Sequence, residues 1–282
     1  MCEIISRLES RLVSGLAESN MESALEEIEF LALSQNRVDA LRYLSEQPHT
    51  RRELVELTGA SQPTLGRILH DFEEREWIVR EDSAYRATVT GKLVSRGFSE
   101  LVEILETDAK LRPIVRWLPT ETISFDLEHL TAATITTPSQ VRPNAPVKRA
   151  LKLLSNANDV RIFSYAFNEQ SLDIIANRTE AGDQQFKGVF SSETIDALTD
   201  DSQLREQLRA LLDADGAEIR ITDELIPMAT TIADSTVHLF LRDDNGILQA
   251  SIDVDEPAVR SWAEELFEDY WQAAEPLDFD RL

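Results

Sequence analysis

Apolar residues along the chain recur first at helical spacing and later in alternating runs. The segment EIISRLESRLVSGL sets Ile4, Ile5, Leu8, Leu12 and Leu16 on one stripe, and MESALEEIEFLALS repeats the pattern with Leu25, Ile28, Leu31 and Ala32. Isolated helices of this length are marginal in water. Both are therefore expected to pack on a neighbouring unit or on a second copy of the chain, which makes residues 1–34 a dimerisation candidate.

Three more helices and a hairpin follow. NRVDALRYLSE offers Val38, Leu41 and Leu44 behind Asn36 as N-cap and stops before Pro48. TRRELVELTG opens with a capping box, Thr50 and Glu53, and ends at Gly59. Ser61 then caps a third helix with Pro63 in its first turn, where a missing N–H costs nothing. In that helix Leu65, Ile68, Leu69 and Phe72 form the apolar face, expected to bury against Leu41, Leu44, Leu54 and Leu57. WIVRE and AYRATVT alternate as two short strands around EDS, and a helix from Thr90 to Leu111 is closed by Pro113.

The stretch 112–145 carries Pro113, Pro119, Pro138 and Pro143, with Pro146 just beyond, and holds the short β-like runs TISFD and AATITT. It reads as a passage into a further domain. From residue 146 helices and strands alternate: VKRALKLLSNA helical, DVRIFSYAF a buried strand, EQSLDIIANRTEAG helical, QFKGVFS a strand, SQLREQLRALLDADG a helix, AEIRIT a strand. MATTIAD, TVHLFLRDD and ILQASIDV form a meander whose second turn, DDNG, is a hairpin signal. A closing helix, EPAVRSWAEELFEDYWQAAE, places Val259, Trp262, Leu266, Phe267 and Tyr270 on its apolar side. The expected class is mixed α+β: an N-terminal unit of helices and a wing over 35–111, a connection over 112–145, and an α/β domain with a mixed sheet over 146–282.

Composition changes this picture in two ways. With 282 residues, 42% of them hydrophobic, the chain suits one large or two smaller domains. No apolar run approaches the roughly 18 residues of a membrane span. The first residues lack the apolar core of a secretory signal, and Cys2 is the only cysteine. A cytoplasmic protein without internal disulfides or a cysteine zinc site is expected. The net charge of −24 argues against a polyanionic partner, yet only five of the 28 basic residues are lysines. An acidic, lysine-poor composition is the mark of salt-in halophiles, where charge keeps the surface solvated. Residues 36–96 hold ten basic and ten acidic side chains, so the whole excess lies in the rest of the chain, 18 basic against 42 acidic.

The neutral segment is also the one with the helix, helix, helix, two-stranded wing, helix order of a winged helix-turn-helix, whose third helix enters the major groove. Ser61, Gln62, Thr64 and Arg67 are then available to DNA, Gln and Arg through bidentate contacts to base edges. Arg51 and Arg52 at the start of the preceding helix suit phosphate positioning. Arg80 and Arg86 on the wing, with Lys92 and Arg96 on the next helix, are placed to flank the duplex.

The run TRRELVELTGASQPTLGRILHDFEEREWI resembles the winged helix-turn-helix of archaeal transcription regulators, especially those of haloarchaea. TVHLFLRDDNGILQASIDVDEPAVRSWAEELFEDYW is similar to the C-terminal sensor domain of archaeal methanogenesis-type and filamentation-type regulators. Glu76 departs from the pattern, standing where a glycine usually ends the recognition helix. The resemblance implies a sequence-specific, dimeric DNA-binding regulator with a sensing or oligomerising C-terminal domain. Its partners would be double-stranded promoter or operator DNA, a second copy and a small-molecule effector, with no membrane and no cofactor. The rival is a winged helix that binds another protein and never meets DNA.

Enzyme signatures are lacking. There is no P-loop, no G-x-G-x-x-G and no H-E-x-x-H. The phospholipase-like folds brought to mind by the second resemblance need a His-x-Lys pair, but His238 is followed by Leu239 and Phe240, and His129 by Leu130 and Thr131. The four histidines, at 49, 70, 129 and 238, show no metal-ligand spacing. Asp243 and Asp244 are expected in a turn, Asp253, Asp255 and Glu256 at a helix start, and His238 as a structural strand residue. No catalytic or metal residue is assigned. Effectors of open α/β sheets sit beyond the carboxyl ends of strands, which nominates Ser164, Tyr165, Asn168, Ser191 and Ser192.

Overall fold

The computed structural model describes residues 21–278. The chain divides into two compact units, with the division between Glu103 and Ile104. The stripe of EIISRLESRLVSGL lies outside the described residues.

In the first unit, a helix over 21–32 (α1) precedes α2 (Gln35–Glu46), α3 (Arg51–Thr58) and α4 (Gln62–Glu74). The side of α1 that is buried differs from the expected stripe. Leu31 is enclosed, but Leu25 and Ile28 remain 58% and 41% exposed. Phe30 is the anchor instead: the guanidinium carbons of Arg37 and Arg75 lie 4.0 and 3.8 Å from its ring centre, and its edge meets Phe72 and Trp77. Arg75 also donates to Glu27 at 2.6 Å, which fastens α1 to the end of α4.

The turn between α3 and α4 follows its sequence signals closely. Thr50 and Glu53 form a reciprocal capping box, Gly59 takes the left-handed conformation at φ 69°, and Ser61 accepts from the Thr64 amide. Leu41, Leu44, Leu54, Leu65, Ile68, Leu69 and Phe72 share one core, whereas Leu57 stays 44% exposed. Asn36 is not a cap: α2 begins at Gln35, behind Ser34. Glu76 adopts φ 56°, so the glycine-like turn is kept without a glycine. Its carbonyl accepts from the Thr88 hydroxyl at 2.7 Å. β2 (Ile78–Glu81) and β3 (Ala84–Ala87) form the wing. A further strand, β1 (His49–Thr50), pairs with β3, and its two residues are too short to show alternation. α5 (Val89–Leu111) follows.

The second unit is built on one mixed eight-stranded sheet. Its members are β4 (Thr134–Thr136), β5 (Asp159–Ser164), β6 (Gln185–Ser191), β7 (Ala217–Thr222), β8 (Ala229–Ala233), β9 (Thr236–Arg242), β10 (Leu248–Val254) and β11 (Glu275–Pro276). The order is β11-β7-β6-β5-β8-β9-β10-β4, with β5, β6 and β7 parallel and every other neighbour antiparallel. Helices α6 (Ala145–Leu154), α7 (Glu169–Glu180), α8 (Ser192–Asp200) and α9 (Ser202–Asp213) share a core with one face, and α10 (Pro257–Ala273) with the other.

Alternation sorts the strand residues between these two cores. Phe163, Val189, Val237, Leu239, Leu241, Ala250, Ile252 and Val254 pack with Val259, Trp262 and Phe267 of α10. Val160, Ile162, Phe186, Phe190, Ile219 and Ile221 pack with α7 to α9. Within 112–145, Ile114, Leu118, Leu130 and Ala133 are buried in the α10-side core, and β4 pairs with β10. The TISFD run forms no strand. Its alternation comes from Ile123 and Phe125 lying on the core, Phe125 edge-on to Trp262, while the Trp262 indole donates to Thr122 O at 3.1 Å. α8 was not separable by sequence reading from the strand before it, because Ser191 both ends β6 and caps α8.

Asp253 does not start a helix. It lies in β10 opposite His238 of β9, bonded to His238 Nδ1 and to Arg149 Nε of α6. The His238 ring is fully buried, stands edge-on to Phe240 and leaves Nε2 without a partner. Burial alone would push the Asp253 carboxyl up, but the hydrogen bonds from His238 and Arg149 outweigh it and hold the group below its ordinary value. The sign follows directly. A carboxyl depressed in the folded state adds stability above its unfolded value of about 4, and loses it as pH falls through the lower folded value. Removing one partner of a buried pair costs about 3–5 kcal/mol, here discounted to about 2–3 because the Arg149 side chain is 36% exposed. Asp253→Asn is thus expected to lower the stability of the second unit by that amount at neutral pH, with the deficit shrinking below about pH 4. Urea unfolding followed by tryptophan fluorescence across pH checks it.

Candidate functional site

The ten residues nominated for DNA fall on α3, α4, the wing and α5, and differ in how far their polar groups are already engaged. Arg51 donates from Nη2 to the Gln62 carbonyl, across the turn between α3 and α4. Its guanidinium passes over Gly66 so closely that an added Cβ there would sit 2.4 Å from Nη2. Arg51 therefore positions the start of α4. The Ser61 hydroxyl bonds that of Thr64 at 2.8 Å and caps the helix by accepting from the Thr64 amide.

Three arginines hold carboxylates: Arg52 with Glu56 at 3.3 Å, Arg96 with Glu100 at 3.6 Å, and Arg86 with Glu81. In the wing pair the hydrogen bond lowers the Glu81 carboxyl and raises the Arg86 guanidinium. Exposed pairs like these are worth little and exchange readily for a phosphate. Arg67 and Lys92 are exposed with no carboxylate partner among the described residues, and Arg80 lies 5.6 Å from the Tyr85 ring centre. Gln62 and Arg67 project from the N-terminal half of α4, where a recognition helix reads bases.

The five effector nominees separate into different places. β5 lies at the point where the chain turns to opposite sides, to β6 through α7 and later to β8. Beyond its carboxyl end is a cavity of about 100 Å³, walled by Ala150, Leu154, Ile162, Ile175, Phe190 and Phe240, with Ser164, Asn168, Thr231 and Arg242 among its polar lining. Ser164 is there, but its hydroxyl is engaged with both the N–H and the C=O of Ala166. Asn168 accepts from the Ser171 amide through Oδ1 as the cap of α7, leaving its NH2 for another partner. Tyr165 faces a separate shallow groove beside Phe167, Glu193 and Thr194. Ser191 caps α8, and the Ser192 hydroxyl donates to Asp223. Thr231 and Arg242 escaped sequence reading because they belong to antiparallel strands. Only the crossing of β8 past β5 brings them to this end.

Among the described residues, no cluster of His, Cys, Asp or Glu is arranged to hold a metal ion, and no helix is long and apolar enough to cross a membrane.

Comparison with known proteins places a family on each unit. Residues 25–110 match the model described as the HVO_A0261 N-terminal domain, and residues 143–273 match that of the methanogenesis regulatory protein FilR1, middle domain. No curated protein matches the chain. Solved structures similar to it include TrmBL2, an archaeal chromatin protein, at 17% identity and TM-score 0.42 over 89% of this chain and 98% of that one. Nuc, a phospholipase D family member from Salmonella typhimurium, is 15% identical at TM-score 0.41 over 51% of this chain and 98% of its own. Ligand-free NadR is 20% identical at TM-score 0.27 over 36% and 80%. Likenesses this distant assign no function. The two family matches, one on each part, show an archaeal-type transcriptional regulator: a winged helix-turn-helix unit followed by a regulatory domain of the FilR1 middle-domain type.

Proposed function

We propose that the protein is a sequence-specific regulator whose α4 reads the major groove through Gln62 and Arg67. The observation that carries this reading is the pairing of an exposed, unneutralised Arg67 on α4 with a segment spared the chain's acidity. Arg80 and Lys92 contact phosphates, Arg51 holds the turn, and Arg52, Arg86 and Arg96 exchange their carboxylates for phosphates on binding. Operators are bound by a homodimer. The stripe Met21, Leu25, Ile28 on α1 and the pair Val89, Leu93 on α5 are exposed apolar surface that a second copy would cover. The C-terminal domain senses a small effector at the end of β5.

Three outcomes are expected. Arg67→Ala should weaken operator binding by about 1–3 kcal/mol, about 5- to 150-fold, and relax sequence preference, as read by gel shift with genomic fragments at working salt. Unchanged binding, or none by wild type, favours a winged helix that docks on protein. The dependence of log affinity on log KCl should be shallow, with a slope of about −2 per winged helix, because only Arg80 and Lys92 bring unneutralised charge to phosphates and the carboxylates released by Arg52, Arg86 and Arg96 take up cations in their place; a much steeper loss of affinity contradicts the proposed contacts. Leu25→Glu combined with Leu93→Glu should convert a dimer to a monomer in analytical ultracentrifugation, and a wild type that is already monomeric refutes the dimer.

A further inference from the structure

The cavity at the end of β5 has a chemical character at odds with the rest of the chain. Among the described residues no carboxylate lines it, whereas Arg242 does. Arg242 Nη1 donates to the Gly246 carbonyl in the β9–β10 turn at 2.7 Å, and Nε is buried without a partner. The neighbouring Asp243 does not neutralise it. That carboxylate accepts from the amides of Asn245 and Ile247 and from Gln249, which lowers its pKa and commits both oxygens to the turn. The fork of Arg242 is thus held by one nitrogen; Nε is enclosed by protein, and Nη2 has no partner among the described residues. A guanidinium short of partners at the wall of a cavity free of carboxylates favours an anion beside it. The positive charge also reaches Tyr165, whose phenol is raised by burial and drawn back by Arg242.

Apart from Ser164, Asn168, Ser171, Thr230 and Thr231 the remaining wall is apolar, with Phe240, Phe190 and Ile175 lining a space of about 100 Å³. An apolar cavity of about 150 Å³ admits benzene, so this one admits a tail of about three or four carbons with its head group at the mouth. A single arginine with no second cation suits a carboxylate better than a phosphate dianion.

We propose that this cavity binds a short-chain aliphatic monocarboxylate, its carboxylate on the guanidinium of Arg242 and its tail against Phe240 and Ile175. The proposal rests on the reading of the C-terminal domain as an effector sensor and names the class of effector. Asn168 and Thr231 also line the cavity, and the Asn168 NH2 and the Thr231 hydroxyl would serve as further polar contacts for the head group.

The test is calorimetric titration of the full chain, without DNA, using the straight and branched acids from acetate to hexanoate, with butyramide and butylamine as uncharged and cationic controls. The expected result is saturable binding of the three- to five-carbon acids and at least tenfold weaker binding of butyramide. Arg242→Gln should weaken acid binding at least tenfold. Ala150→Leu, which fills the cavity from α6, should abolish it while thermal unfolding shows a folded chain. If Arg242→Gln does not fold, Ala150→Leu and the amide comparison decide. Butyramide binding as tightly as butyrate, acid binding unchanged in both variants, or no acid binding at all overturns the proposal. A different effector binding at the cavity would refute the carboxylate and leave the sensor reading standing. Failure of the gel shifts would refute operator binding and leave this site untouched.

Discussion

The second unit depends on one constraint: a sheet covered on both faces must commit every strand residue to one core or the other. In β9 this sends Val237, Leu239 and Leu241 to the α10 side. His238, Phe240 and Arg242, the alternate positions, take the opposite face. β10 does the same, Ala250, Ile252 and Val254 going one way while Ser251 and Asp253 go the other. The α10 face is filled by aliphatic and aromatic side chains. The opposite face near β9 and β10 carries polar groups, and it is here that the Arg149–Asp253–His238 clasp and the cavity beside Arg242 are found. A one-residue slip of either strand would exchange the two faces, so the clasp also acts as a register mark.

In the first unit the corresponding constraint is the short turn between α3 and α4. Thr50, Gly59 and Ser61 satisfy helix-end groups within the backbone's own reach, and Arg51 ties the two helices at the Gln62 carbonyl. That economy frees the outer face of α4. The arginines of this unit do three kinds of work. Arg37 and Arg75 enclose Phe30, several others sit with carboxylates, and Arg67 on α4 has no carboxylate partner among the described residues. Charge counting alone merges these roles, which is why a neutral segment inside a chain of −24 is informative only once each cation's partner is known.

Much of the architecture was legible because its signals are local. The capping box, the left-handed glycine and the DDNG turn each involve residues within a few positions of one another, and helical or alternating periodicity names a buried face without reference to its partner. What was not legible required a partner distant in sequence. β1 and β11 are two-residue strands that exist only because β3 and β7 offer them an edge. Leu25 and Ile28 belong to an apolar stripe, yet Phe30 and Leu31 are the residues that meet the core. Ser191 and Ser192 sit at a strand end as expected for effector contacts, but their hydroxyls are engaged by α8 and by Asp223.

The sequence by itself determined the winged-helix plan, the mixed α/β second half, the absence of recognised catalytic motifs and the segment spared from acidity. These follow from periodicity, end-capping and composition, which act over a few residues or over the whole chain. Only the tertiary structure decided which cations are neutralised, that Asp253 is a strand residue clasped by His238 and Arg149, and that Arg242 shares a cavity with Ser164 and Asn168. The physical reason is topological. β8 crosses back past β5, and this joins side chains about 75 residues apart, a juxtaposition that no local pattern encodes.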